Sequence, residues 1–309
     1  MDSCINVVLA SDDNYAQHIA VVITSIMIKT QKSVCFFVIN DNISKEKMEK
    51  LKNTALNFKS DIKFINVYKE NFSKVYLSGH VSRAAYFRLA LAEVLPLNIE
   101  KVIYLDVDLL VYDDINKLWQ YDLQGFPLGA VPDYGIMASK RLCKQKKEVI
   151  GLPIGNKYFN SGVLLIDLKE WRKNDYTKQI LELINKKRFP HHDQDVLNKI
   201  FIYNWKELDL RWNIIPPVDN LFFKVLINSK LRGNAIEAKK DPGIIHYAGR
   251  YKPWEFHKYN GFNDMYYEYL KQTAFSDVIM PQPSKDMCGK CITRQLIRHR
   301  FADCCIKIF

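Results

Sequence analysis

Asp106 and Asp108 stand two positions apart, with Val107 between them, directly after the apolar run 102–105. In an extended chain, residues two apart project to the same side, so both carboxylates can face one point. The run before them is too apolar for a surface, which places the pair at an edge of the interior. Two carboxylates converging there repel unless a cation lies between them. A divalent ion that also bridges diphosphate oxygens is one solution. Two solvated acids on a loop are the other, and a bare D-x-D does not exclude it.

His246 ends a second apolar stretch, in Ile244-Ile245-His246-Tyr247-Ala248-Gly249-Arg250-Tyr251-Lys252-Pro253-Trp254. A lone histidine there is more often a satisfied core side chain than a ligand. The residues on its C-terminal side shift the balance. Gly249 permits close backbone approach to a ligand, and Arg250 and Lys252 are cations suited to phosphate. Two carboxylates with one imidazole suit manganese better than calcium, which prefers oxygen throughout.

Three more polar segments sit where chemistry is possible. In Ser11-Asp12-Asp13-Asn14-Tyr15, the Asp and Asn side chains can read the edge of uracil or a ribose hydroxyl, and Tyr15 offers a ring. The same residues also make an ordinary helix N-cap. His191-His192-Asp193-Gln194-Asp195 has the residue types of an ion site or of an acidic helix N-terminus. Asn160-Ser161-Gly162, which opens a buried run, is equally open. No G-x-G occurs among the 12 glycines, and both the phosphate-binding P-loop and the G-x-S-x-G elbow are absent.

These residues need elements to hold them. Residues 5–10 predict a buried strand, 19–28 a buried helix interrupted by Thr24 and Ser25, and 34–39 a second strand. Ser44 is a candidate N-cap for a helix with Met48, Leu51, Ala55 and Phe58 on one face. Residues 62–67 alternate as a half-buried strand does, and 83–95 predict one helix closed by Pro96. The runs 102–105, 109–112 and 162–166 predict strands, followed by a helix over 176–187. This alternation points to an α/β fold, a sandwich with a mostly parallel central sheet. Such sheets bind ligands beyond the carboxyl ends of their strands, where both Asp12 and Asp106 would fall.

The 309 residues suit one large domain, with or without an appendage, and 48% hydrophobic with 26% charged residues is ordinary globular composition. A net charge of +11 asks for an anionic partner without naming it. The seven cysteines are odd in number and three are widely scattered, so no disulfide framework is expected. The N-terminus reads as a strand rather than a signal segment, and the expected location is cytoplasmic. Beyond Pro281-Gln282-Pro283 the composition changes. Residues 285–309 carry six basic and two acidic side chains, with Ile292, Leu296, Ile297, Phe301, Cys304, Cys305 and Ile308 at spacings that form one helical face. A zinc site in Cys288-x-x-Cys291 with Cys304-Cys305 is disfavoured, because zinc ribbons pair two C-x-x-C knuckles.

Six segments in order carry a family resemblance: Leu9-Ala10-Ser11-Asp12-Asp13-Asn14-Tyr15; Tyr86-Phe87-Arg88-Leu89; Lys101-Val102-Ile103-Tyr104-Leu105-Asp106-Val107-Asp108; Tyr158-Phe159-Asn160-Ser161-Gly162-Val163-Leu164; His192-Asp193-Gln194-Asp195; and the run from His246 to Trp254. The chain resembles the family-8 retaining glycosyltransferases, in particular bacterial galactosyl- and glucosyltransferases that extend lipopolysaccharide or lipooligosaccharide. The resemblance implies a GT-A catalytic domain, a nucleotide-sugar-binding sandwich, over residues 1–280, and a basic amphipathic tail over 281–309. It implies Asp106, Asp108 and His246 as ligands of manganese (magnesium being the alternative), with Val107 also at the nucleotide. Asp12, Asn14 and Tyr15 would hold the uridine, and Gly249 and Lys252 the diphosphate. Arg88, Asp133, Asn160, Asp193 and Gln194 match positions around the donor sugar. The implied reaction is transfer of galactose or glucose from a UDP-sugar to a hydroxyl of a glycan or glycolipid, with retention. In such relatives the basic tail attaches the enzyme to the inner face of the cytoplasmic membrane. The chain departs from them mainly over 209–242, where an acceptor surface is expected. A sugar-nucleotide nucleotidyltransferase would need a basic, glycine-rich loop near the N-terminus, where Asp12 and Asp13 stand instead. A nucleic-acid binder would interleave aromatic and basic residues in the tail, which has only Phe301 and Phe309.

Overall fold

Both faces of the sheet's central strands are buried, and the period of two along them sorts their side chains between two cores. The computed structural model describes residues 4–67, 84–153, 155–215, 229–249, 252–254 and 263–277. Strands β1 (Ile5–Asp12), β4 (Lys101–Leu105) and β7 (Phe159–Asp167) lie side by side at its centre. Val7, Leu9, Ile103, Leu105, Val163 and Leu165 face one cluster. Val8, Ala10, Val102, Tyr104, Leu164 and Ile166 face the other. A strand covered on both faces needs apolar residues at every position, which is why these strands read as unbroken apolar runs.

The sheet continues through β2 (Val34–Asp41) and β3 (Asp61–Asn66) on one side, and β6 (Leu128–Pro132) and β8 (Lys206–Glu207) on the other, in the order β3-β2-β1-β4-β7-β6-β8. Four of its six pairings are parallel; β7 runs antiparallel to both β4 and β6. The architecture is therefore mixed α/β with a mostly parallel sheet. Helix α1 (Ala16–Lys29) is buried at every residue from His18 to Ile26, as a helix enclosed on all sides must be. Its polar interruption has a use: Ser25 Oγ donates to Val22 O at 2.8 Å and accepts from Val111 N at 3.1 Å. That bond ties α1 to β5 (Leu109–Val111), the strand leaving Asp108.

A second, two-stranded sheet positions the site. Strand β9 (Ile244–His246) runs antiparallel to β5, with Leu109 opposite His246. Meanwhile Asp106 N donates to Gly162 O at 2.8 Å and His246 N to Ile214 O at 2.8 Å. Segments 105–109, 160–162, 213–215 and 244–249 thus meet beyond the carboxyl end of β4.

Two expectations need correction. The helix predicted over 83–95 is three pieces: Ala84–Phe87, a 3-10 turn Arg88–Ala90, and Leu91–Val94. The helical period breaks at Arg88, whose buried guanidinium is taken up by two carboxylates. The scattered cysteines do not all stay apart: Cys4 and Cys35 are disulfide-bonded, 6.1 Å between Cα atoms. Parallel pairing of β1 with β2 sets Asn6 opposite Cys35 and makes the two neighbours. Ser44 stands at the N-cap of α2 (Lys45–Leu56) without a side-chain capping bond. Arg250, residues 216–228 and the predicted tail 281–309 lie outside the described residues.

Candidate active site

Asp106, Asp108 and His246 converge: one ligand atom from each lies within 4.8 Å of the others. His246 Nε2 is 3.1 Å from Asp108 Oδ1 and 3.8 Å from Asp106 Oδ2. Both carboxylates have further partners. Asp106 Oδ1 takes Arg88 Nη2 at 2.7 Å and the Tyr104 hydroxyl at 3.0 Å. Asp108 Oδ2 takes the Lys252 ammonium, which also donates to Tyr247 O at 2.8 Å. Burial pushes Asp108 up, but Lys252 and His246 outweigh it and hold the carboxyl well below the usual range. The set of two carboxylates and one imidazole fits a transition metal such as manganese. Gly162 closes the other side: a Cβ there would stand 2.3 Å from His246 Cε1 and 2.8 Å from Asp106 Oδ2. The three side chains can converge here because residue 162 lacks a side chain.

Next to this cluster, Arg88 is buried and spans two acids. Its Nε lies 3.1 Å from Asp193 Oδ2, and its Nη1 donates to Ser161 O at 2.7 Å. Burial raises the Asp193 pKa, against the pull of Arg88. Asp133 Oδ2 accepts from Gln194 Nε2 at 3.0 Å and Asn160 Nδ2 at 3.3 Å, while its Oδ1 caps the helix Tyr134–Met137 through Ile136 N. Gln194 Oε1 accepts from Ser161 N at 3.2 Å. Arg88, Asp133, Asn160, Asp193 and Gln194 therefore form one bonded wall. With the metal-type cluster they line a cleft of about 670 Å³.

The run 191–195 divides between two tasks. Asp193 and Gln194 face the cleft, whereas Asp195 is fully buried at the first turn of the helix His192–Ile200. Its Oδ1 takes the Lys146 ammonium at 2.5 Å and the Tyr158 hydroxyl at 2.8 Å, and its Oδ2 accepts His191 N at 2.9 Å. An internal ion pair explains this acid, and the ion-site reading of the run fails there.

On the opposite wall, both readings of the loop after β1 are partly realised. Asp12 Oδ1 caps the 3-10 turn Asp13–Tyr15, accepting from Asn14 N at 3.0 Å and Tyr15 N at 3.3 Å. Asp12 and Tyr15 also line the cleft, but Asn14 is exposed and is not among its lining residues. Asp13 turns away to Lys47 at 2.7 Å and to Ser44 N, which hold its carboxyl down to about 2. Tyr15 meets His18 and Trp254 edge-on, and His18 stacks on Trp254 at 3.6 Å between ring centroids. Gly249, with Val107 and Lys252, lines the cleft and has φ +95°, a conformation that disfavours any side chain.

Two participants carry no mark in the sequence. Lys146 is one. Asn213 is the other: it is buried, accepts from His246 Nδ1 at 2.9 Å and donates to Asn160 Oδ1 at 2.9 Å. A Trp-Asn dipeptide outside any motif carries no signal for that role; only the 3-10 turn Leu210–Trp212, which delivers it, reveals it.

Comparison with known proteins identifies the family and the fold. The model of Glycosyl transferase family 8 matches residues 6–258. General stress protein A of Bacillus subtilis is 32% identical over 289 residues, 91% of this chain and 98% of that protein. A lipopolysaccharide 1,2-glucosyltransferase of Escherichia coli is 29% identical over 257 residues, 81% of this chain and 73% of that protein. Among solved structures, the galactosyltransferase LgtC, in complex with donor and acceptor sugar analogs, matches with a TM-score of 0.78 at 29% identity, covering 93% of this chain and 100% of LgtC.

Proposed function

The chain belongs to glycosyl transferase family 8 and has the GT-A fold of LgtC, and from that premise we propose that it moves galactose or glucose from a UDP-sugar to a glycolipid hydroxyl, with the α-configuration retained. The observation that carries this reading is the meeting of Asp106, Asp108 and His246 in one cleft with the Arg88–Asp193–Gln194–Asp133 wall. Family membership displaces the nucleotidyltransferase and nucleic-acid readings. The glycolipid acceptor is proposed from the Escherichia coli relative, whose name specifies lipopolysaccharide.

Asp106, Asp108 and His246 would hold manganese, with magnesium as the alternative. A divalent ion there supplies positive charge against the departing diphosphate. Lys252, whose ammonium sits on Asp108, is placed to add a second positive charge on the phosphate side. Asp12 and Tyr15 offer a carboxylate and a ring for the uridine.

In a retaining transfer through two displacements, a carboxylate would have to attack the anomeric carbon. Asp195 is in no position to do so, since both its oxygens are bonded inside the fold. Asp193 is held by Arg88 and Ser161, and Gln194 is an amide. The reading is therefore a front-face transfer. The bond from anomeric carbon to phosphate oxygen breaks, the bond to the acceptor oxygen forms on the same face, and the acceptor's proton passes to the leaving phosphate. The Gln194 side-chain carbonyl steadies positive charge on the sugar. Mass spectrometry of the enzyme quenched during turnover should find no glycosylated side chain; a hexose on Asp193 or Asp195 would contradict the front-face path.

We place the enzyme at the inner face of the cytoplasmic membrane, held peripherally by residues 281–309. The support is compositional, cationic residues interleaved with one apolar face. No helix among the described residues is long and apolar enough to cross a membrane.

A further inference from the structure

We propose that Asn213 is a positioning residue that decides which nitrogen of His246 faces Asp106 and Asp108. The inference rests on the reading of those three side chains as a metal site.

A backbone amide, whose chemistry is unambiguous, fixes the first bond. Gly162 N donates to Asn160 Oδ1 at 2.9 Å, so that atom is an oxygen accepting a hydrogen bond. The other end of the Asn160 amide agrees, because its Nδ2 donates to the Asp133 carboxylate. The Asn213 atom 2.9 Å from Asn160 Oδ1 must then be a donor, its Nδ2. That leaves Asn213 Oδ1 facing His246 Nδ1 at 2.9 Å. An oxygen there requires a proton on Nδ1. With Nδ1 committed to Asn213, Nε2 is the nitrogen left to face Asp108 at 3.1 Å and Asp106 at 3.8 Å, and an ion bound there would take its lone pair in place of a proton. One lone pair and two carboxylates facing one point are completed by a cation. Partners of this kind on the far nitrogen are how proteins fix a ligating imidazole.

Asn213 is itself well fixed, being 1% exposed. It comes directly after the 3-10 turn Leu210–Trp212, and its backbone N donates to Leu210 O. Arg211 clamps that turn through Asp113 at 2.8 Å and Asp241 at 2.9 Å. Through Asn160 and Asp133 the same chain of bonds reaches Gln194, so Asn213 links the metal side of the cleft to its sugar side.

The experiment uses the full chain and two variants, Asn213→Leu and Asn213→Asp. Free manganese measured by electron paramagnetic resonance in the presence of UDP should show affinity falling about 10- to 100-fold in Asn213→Leu. Asn213→Asp keeps an acceptor for Nδ1 but loses the donor to Asn160. It should bind manganese within about threefold of wild type while kcat with a UDP-sugar falls about tenfold or more. In ¹⁵N-histidine-labelled wild-type protein with magnesium and UDP, His246 should carry its proton on Nδ1. Metal-free protein should likewise carry a proton on Nδ1, a measurement that tests Asn213 even if no ion binds. An Nδ1 without a proton, or wild-type manganese affinity in a folded Asn213→Leu, would overturn the proposal. Absence of manganese binding by wild type would instead sink the metal reading.

Discussion

A methyl group at position 162 would stand 2.3 Å from His246 Cε1 and 2.9 Å from its Nδ1, so the histidine ring would have to move. Gly162→Ala is therefore expected to leave the fold in place and to weaken manganese-dependent UDP binding about tenfold or more, read by titration calorimetry. Unchanged affinity would mean that the ring's position does not matter. The two acids and the histidine are legible in the sequence because Asp106 and His246 close apolar runs and Asp108 opens one, and a polar side chain at the end of a buried strand needs a reason to be there. Asn213 and Lys146 are not legible. Their partners lie 33 and 49 residues away in sequence, and an isolated Asn or Lys in polar surroundings has no local pattern. Asp195 misleads for the same reason: its type suggests a ligand, but an ammonium on another helix has already claimed it.

At the level of elements, the site depends on a short pairing that periodicity cannot announce. Strands β5 and β9 have three residues each and lie far apart in the chain, yet they set Leu109 opposite His246. The turn beside them is clamped by Asp113, which accepts from Arg211 at 2.8 Å and from Lys117. Burial pushes Asp113 up, but these hydrogen bonds prevail and hold its carboxyl down to about 2. A pKa lowered by folding stabilises at pH above the unfolded value, and that stabilisation disappears as pH falls through the folded value. Asp113→Asn should accordingly cost about 1 kcal/mol near neutral pH, since Lys117 is solvent-screened, and the gap should close between about pH 4 and pH 2. Urea denaturation of both proteins across that range measures it, and a gap independent of pH would contradict the clamp. The long apolar runs of β1, β4 and β7 can be read from sequence because burial on both faces imprints every position. The break in the helix over 83–95 cannot, since its apolar pattern persists through the 3-10 turn where Arg88 leaves for the cleft.

For the whole molecule, the alternation of strands and helices is enough for the fold class. Strand order, the antiparallel β7 and the second sheet are long-range pairings that need coordinates. Charge belongs to this scale too. The +11 total and the basic residues of 285–309 motivate a membrane-facing tail. Removing residues 281–309 should abolish sedimentation with anionic vesicles while turnover of a soluble acceptor stays within about twofold. Vesicle binding by the truncated protein would place the attachment elsewhere. Metal-dependent transfer from a UDP-sugar is most directly exposed to test by release of UDP from a panel of UDP-sugars with manganese, since slow hydrolysis reports the donor without any acceptor. UDP-glucose or UDP-galactose should be turned over by the wild-type chain, with loss of about 100-fold or more in Asp108→Asn. Failure to bind or turn over any UDP-sugar, or full activity in Asp108→Asn, would contradict that function.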